Sequence, residues 1–282
     1  MNIIDIAQLC GVSKSTVSRY LTGGSVSKKS AEKIAQAIEE TGFKHNVVAV
    51  QLKTKRSGLI GVIVDRLNSQ STTTVLAGIN DACLNRGYQP FFAFDHPSQH
   101  RKTEMVQRLA RQGVDAIIYG SAYISPENRR CLQTCGRPVL VLGQSDPELP
   151  ALKVNDYEAG KLMGEHIVQA GASHIAFLNY PHTDLALGVE RFSGFADVCA
   201  QQDISLQAIE VDFSRQDDIQ EQIDQALALN PDCIACGSDA MALKVLDRLD
   251  ELGISCPNDI LVSGFGDNKI SSARRISLTT VH

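Results

Sequence analysis

From Leu59 onward the chain repeats one pattern: a short continuous apolar run, a helical stretch, then another run. The runs are "LIGVIV", "QPFFAF", "DAIIYG", "PVLVLG", "HIAFLN", "DCIACGS" and "ILVSGFG". A strand with one wet face alternates apolar and polar residues, whereas a parallel strand covered by helices on both faces is apolar throughout. The repetition predicts a doubly wound α/β body with parallel sheets over residues 58–282. Ligands in such sheets collect beyond the carboxyl ends of the strands, so the residues after each run are the candidate binding groups. They are Arg66 and Ser69, Gln144, Asp184 and Arg191, Ser238, and Asp267. Arginine, carboxylate, amide and hydroxyl groups around one cleft suit a sugar, because each sugar hydroxyl both donates and accepts. Asp239 opens the helical stretch "DAMALKVLDRLDELG" and is read as its cap.

The first 45 residues read differently. Asn2 is placed to cap a first helix with Asp5 near its positive end, and Ile3, Ile6, Ala7 and Leu9 give it an apolar side. Gly11 breaks it, Ser13 caps a second helix through Leu21, and Gly23 and Gly24 stop that one. Ser27 caps a third, in which Ala31, Ile34, Ala35 and Ile38 recur at helical spacing until Gly42. Two short helices joined by a tight glycine turn form a helix-turn-helix pattern. In the second helix Val17 and Leu21 are core residues, which leaves Lys14, Ser15, Thr16, Ser18 and Arg19 as a polar, basic set. Such a set meets base edges and phosphates when the helix enters the major groove, and Arg19 suits guanine O6 and N7. Spacing alone favours that reading over its alternative, a solvated face on a three-helix scaffold.

Charge divides at the same boundary. Nine lysines and arginines against four acids through Ser57 give +5, and the remaining 18 against 28 give −10. A basic head on an acidic body points to a polyanion at the head and a different partner at the body. No apolar run approaches the roughly 20 residues of a membrane span. The start "MNIIDIAQLC" lacks the basic and long apolar regions of a signal peptide, so the cytoplasm is expected. Eight cysteines are scattered; Cys233 and Cys236 form a CxxC without a second ligand pair nearby and read as a buried strand, and Cys131 and Cys135 are read as equally inert. No metal site and no cofactor are expected. GxxxxGK[ST], HExxH and GxGxxG are absent, and His182 near Asp184 has no nucleophile beside it, so no catalysis is expected.

The segments "IDIAQLCGVSKSTVSRYLTG" and "VSKKSAEKIAQAIEETGFKHN" resemble the head of the LacI/GalR family of transcriptional regulators, and the resemblance runs through the body. It implies a homodimer reading a palindromic operator in double-stranded DNA, with dimer contacts on the first lobe that include the helix "TTTVLAGINDACLNRG". It implies a hinge helix and linker over 46–57, capped by Asn46, with Leu52 wedged into the minor groove; Val50 stands where the family carries arginine. The body is then two lobes like those of periplasmic sugar-binding proteins, and Arg191 matches the family arginine that holds sugar hydroxyls. "VDRLNSQS" and "YPHTDLALGVER" look most like the trehalose repressors, which implies a sugar-phosphate effector such as trehalose 6-phosphate that releases the operator. Gln144 stands where those proteins carry a second phosphate-binding arginine, so another glucoside or a sucrose-type sugar is the alternative. Family members continue past the point matching His282 with elements that return to the first lobe, so the chain is expected to be short at its C-terminal side. A periplasmic-type sugar-binding protein without regulation is the reading from another class.

Overall fold

The structure, a computed structural model, describes residues 1–21, 23–43, 56–65, 70–95, 101–211, 219–273 and 276–282. It separates into two compact units, Met1–Arg56 and Ser57–His282.

The first unit holds α1 (Ile3–Cys10), α2 (Lys14–Leu21) and α3 (Lys28–Thr41). Asn2 caps α1 reciprocally: its Oδ1 accepts from the Ile4 amide at 2.7 Å, and its own amide donates to Asp5 Oδ2 at 2.7 Å. Gly11, at φ 63°, takes the left-handed conformation that ends α1 and turns the chain into α2. Ile6, Ala7, Cys10, Val17, Ile34 and Ala37 form the core. Two expected core positions fall outside it. Leu9 is 61% exposed, because Ile6, Ala7 and Cys10 set the buried face and Leu9 lies roughly 110° round from its centre. Ala35 is likewise exposed, and Ala37 takes its place.

The second unit carries β1 (Leu59–Val64), α4 (Gln70–Leu84), β2 (Gln89–Phe94), α5 (Lys102–Gln112), β3 (Ala116–Gly120), α6 (Pro126–Thr134), β4 (Val139–Leu142) and β5 (Ala151–Leu152) in a first lobe. The second lobe follows with α7 (Asp156–Gln169), β6 (His174–Asn179), a π-helix (Leu185–Arg191), α8 (Phe192–Gln201), β7 (Ser205–Glu210), α9 (Gln220–Ala228), β8 (Cys233–Cys236), α10 (Asp239–Leu252) and β9 (Leu261–Ser263). The sheets run β2-β1-β3-β4-β5 and β7-β6-β8-β9, every pairing parallel. This is the expected doubly wound arrangement. β5 and β7 carry no long apolar run: one is two residues long, and the other is an edge strand whose residues are largely exposed. β8 is wholly buried, and burial pushes both its thiols, Cys233 and Cys236, well up from the ordinary range. Among the described residues no helix is long and apolar enough to cross a membrane.

Two features fix the second lobe. The first is a very close crossing of α7 with the π-helix and α8. A β-carbon on Gly160 would stand 1.9 Å from the Arg191 carbonyl oxygen, and one on Gly194 would stand 1.9 Å from that of Tyr157. The second is Asp239, fully buried at the start of α10. The cap of that helix is Ser238, whose Oγ accepts from the Met241 amide at 3.4 Å. Asp239, expected as the cap, instead fastens the segment after β9. Its Oδ2 accepts from the Asn268 amide at 2.7 Å and the Ser271 hydroxyl at 2.6 Å, and its Oδ1 from the Thr280 hydroxyl at 2.6 Å. Helix capping needs only one oxygen, and Ser238 already supplies it.

Gly160→Ala forces backbone apart and should cost about 3 kcal/mol in chemical denaturation, far beyond an ordinary Gly→Ala change in a helix. Asp239→Ala leaves buried donors unpaired and should cost a similar amount, about 3 kcal/mol, while opening residues 266–282 to limited proteolysis before the rest of the lobe.

Candidate DNA-binding face and effector cleft

On the head, Ser13 organises the start of α2. Its Oγ accepts from the Thr16 amide at 3.2 Å and lies 2.7 Å from Ser15 Oγ and 2.8 Å from Thr16 Oγ1. Val17 is fully buried, and Tyr20 and Leu21 pack beside it. Lys14, Ser15, Ser18 and Arg19 then share one arc of roughly 140° on the other side. Lys14, Ser15 and Arg19 are exposed and Ser18 is half-buried. Thr16 lies off that arc, turned back toward Ser13. α2 has no acid in its first turn, and Arg19 in its last turn faces the negative end of the helix dipole. Asn46 and Leu52 lie outside the described residues.

In the body, polar groups gather after the strands of both sheets. In the first lobe Asp65 follows β1, pairs with Lys102 Nζ at 2.6 Å, and accepts from the Ala122 amide at 3.1 Å. Lys102 also donates to the Ser121 hydroxyl. Gln144, 3% exposed, donates through Nε2 to the Ser121 carbonyl, so its amide nitrogen is engaged within its own lobe. Asp95, buried after β2, accepts from the Arg101 amide at 3.3 Å. Arg66 and Ser69 lie outside the described residues.

In the second lobe the π-helix carries the site. A π-helix is rare and costly unless its surroundings hold it. Here Asp184 caps it, accepting from the Leu187 amide at 3.0 Å, and Asn179 at the end of β6 donates to the Gly188 carbonyl at 2.9 Å. Arg191 ends it. Its Nε and Nη2 reach Asp156 Oδ1 at 3.1 and 2.5 Å, its Nη1 reaches the Gly237 carbonyl at 2.8 Å, and its Cζ lies 4.6 Å from the centre of the Phe265 ring. Burial holds the Asp184 carboxyl above its ordinary range against the Leu187 amide and Arg191, which act in the opposite direction. Burial does the same to Asp156 against the same arginine.

The structure therefore brings Asp184 and Arg191 to the two ends of one π-helix at a strand terminus. It does not group Ser238 and Asp267 with them in the same network. Ser238 caps α10, and Asp267, at φ 41°, accepts from or shares a proton with His282 Nδ1 at 2.7 Å. Sequence reasoning passed over Asp156, Asp65 and Lys102. Asp156 stands behind Asn155 at the head of α7, where an acid reads as a helix-dipole partner, and its real partner is 35 residues away.

Residues 2–46 match the family described as bacterial regulatory proteins, lacI family, and residues 165–282 match a periplasmic binding protein-like domain. The chain is 29% identical over 283 residues to the sucrose operon repressor of Staphylococcus xylosus, covering 100% of this chain and 88% of that one. It is also 29% identical over 289 residues to the HTH-type transcriptional repressor PurR of Vibrio atlanticus, covering 99% and 86%. A lac repressor dimer solved bound to operator and the anti-inducer ONPF superposes with a TM-score of 0.84 at 27% identity, covering 99% of this chain and 86% of that one. Head and body together make the chain a DNA-binding transcriptional regulator of the LacI/GalR family with an effector-binding body.

Proposed function

We propose that the protein is a homodimeric repressor of a sugar-utilisation operon that binds a palindromic operator and releases it when a sugar enters the cleft of its body. The observation that carries the effector reading is Arg191, held rigidly at the strand ends of the second lobe by Asp156, the Gly237 carbonyl and Phe265. A preorganised guanidinium with buried carboxylates nearby is chemistry for orienting hydroxyls. On the head, Lys14, Ser15, Ser18 and Arg19 are the base- and phosphate-contacting set, with Thr16 serving the turn. The resemblance adds Asn46 and Leu52 in the hinge. The dimer reading is supported by α4, whose Val75, Gly78 and Ala82 form an exposed apolar ridge, Val75 being 44% exposed.

The effector class follows from charge. Among the described side chains beyond the strands, the acids Asp65, Asp95, Asp156, Asp184, Asp239 and Asp267 outnumber the bases Lys102 and Arg191, which favours a neutral sugar over a phosphate ester. A glucoside or sucrose-type sugar is therefore the first reading. A sucrose operon repressor among the relatives supports it. Trehalose 6-phosphate, implied by the resemblance to trehalose repressors, is the competitor.

Lys14→Ala and Arg19→Ala should each weaken operator binding by about tenfold or more in fluorescence anisotropy and flatten the base preference at their contact positions. Unchanged base preference in both variants would remove the groove assignment. Thermal-shift screening against neutral and phosphorylated sugars should give a rise in melting temperature with a neutral member, since bound ligand stabilises the folded state by mass action. The same sugar should release labelled operator. A ligand that binds without changing operator affinity would sink the allosteric reading.

A further inference from the structure

A guanidinium has five N–H donors. Within the described structure Arg191 spends three of them: two on Asp156 Oδ1 and one on the Gly237 carbonyl. The two that remain sit on a group whose plane is fixed by Asp156 on one side and by Phe265 at 4.6 Å. The Arg191 side chain is 15% exposed and that of Asp156 only 4%. At such burial the field of the cation is weakly screened, and the carboxylate 2.5 Å away largely cancels it. Asp184, also buried, adds a second carboxyl at the other end of the π-helix.

We propose that Asp156 is a positioning residue that sets the effector class: it fixes the plane of Arg191 and cancels its charge, so that the two spare donors suit a pair of neutral hydroxyls and discriminate against phosphate. The proposal rests on the reading that the effector occupies the cleft beside Arg191. An arginine without a carboxylate partner favours phosphate, because bidentate charge-assisted hydrogen bonds match its fork. Here a phosphate arriving at the fork also meets the carboxyls of Asp156 and Asp184. A vicinal diol brings no charge, and its two oxygens accept from the two spare N–H groups. Selectivity of this kind is built from a repulsive element as much as an attractive one.

The test uses the full chain and matched probes: sucrose with sucrose 6-phosphate, and trehalose with trehalose 6-phosphate, titrated by calorimetry. Asp156→Asn keeps the shape and an acceptor oxygen but removes the charge. The wild type should prefer the neutral member of whichever pair binds. In Asp156→Asn the neutral sugar should weaken, the phosphate ester should tighten, and the ratio of affinities should move toward phosphate by about tenfold or more. A purely structural role would weaken both members alike, and an unmoved ratio overturns the proposal, as does a wild type that prefers the ester. Should the melting curve show Asp156→Asn unfolded, Asp156→Glu carries the test. It retains the charge and should retain the neutral preference at reduced affinity, and a shift toward the ester would overturn the proposal. An unmoved ratio in a protein that binds sugar leaves the cleft reading standing, whereas no saturable binding of any probe removes that reading and the proposal together.

Discussion

The second lobe depends on how closely α7 lies against the π-helix and α8. With hydrogen at the α-carbons of Gly160 and Gly194, the backbones touch; with any side chain there, they could not. That contact brings Asp156, at the first residue of α7, within hydrogen-bond reach of Arg191, at the last residue of the π-helix. Without it, Asp156 would lose its partner and Arg191 would swing free in the cleft with its full charge. A packing constraint between two backbones thus becomes an electrostatic property of the candidate site. The edge-to-face contacts of Phe177 with Phe192 and Phe195, at 5.3 and 5.0 Å between ring centres, hold α8 to β6 from beneath and keep the arrangement stiff.

The two lobes use their strand ends differently. In the first, Asp65, Lys102, Ser121 and Gln144 are linked to one another through short polar contacts. In the second, Arg191 and Asp184 are anchored by backbone groups and by Asp156, with donors left over. Specific recognition of a hydroxylated ligand requires such rigid, partly unspent groups, because ordering them at the moment of binding would consume the affinity gained.

Much of the architecture was legible because it is written in local chemistry. Asn2 with Asp5, Ser27 and the left-handed Gly11 and Gly42 mark helix ends through bonds spanning a few residues. The apolar runs of β1, β6 and β8 reflect two-sided burial. What escaped depends on partners distant in sequence. β7 is an edge strand whose composition reflects its exposure. Asp156 and Asp239 each look like helix-terminus acids, and their roles become visible only when the residues they hold, 35 and up to 41 positions later, are folded against them. Leu9 and Ala35 misled because apolar side chains recur on helix faces that the core does not need.

The Asp239 hub also bears on how the lobe folds. Its acceptors draw in groups from Asn268, Ser271 and Thr280, so the hub closes loops of 29 to 41 residues rather than turns of three or four. The entropy of closing a flexible loop grows only slowly with its length, so these links are affordable at equilibrium. Their kinetic consequence is larger, because high sequence separation delays contact formation. Groups this far apart in sequence meet later than near ones, and the residues after β9 are seated by the Asp239 carboxylate together with the Gly264–Thr279 and Gly266–Val281 backbone bonds. Contacts that form after the transition state govern the rate of unfolding more than the rate of folding. On that ground the Asp239 links are expected to weigh on the lifetime of the folded lobe more than on the speed with which it is reached.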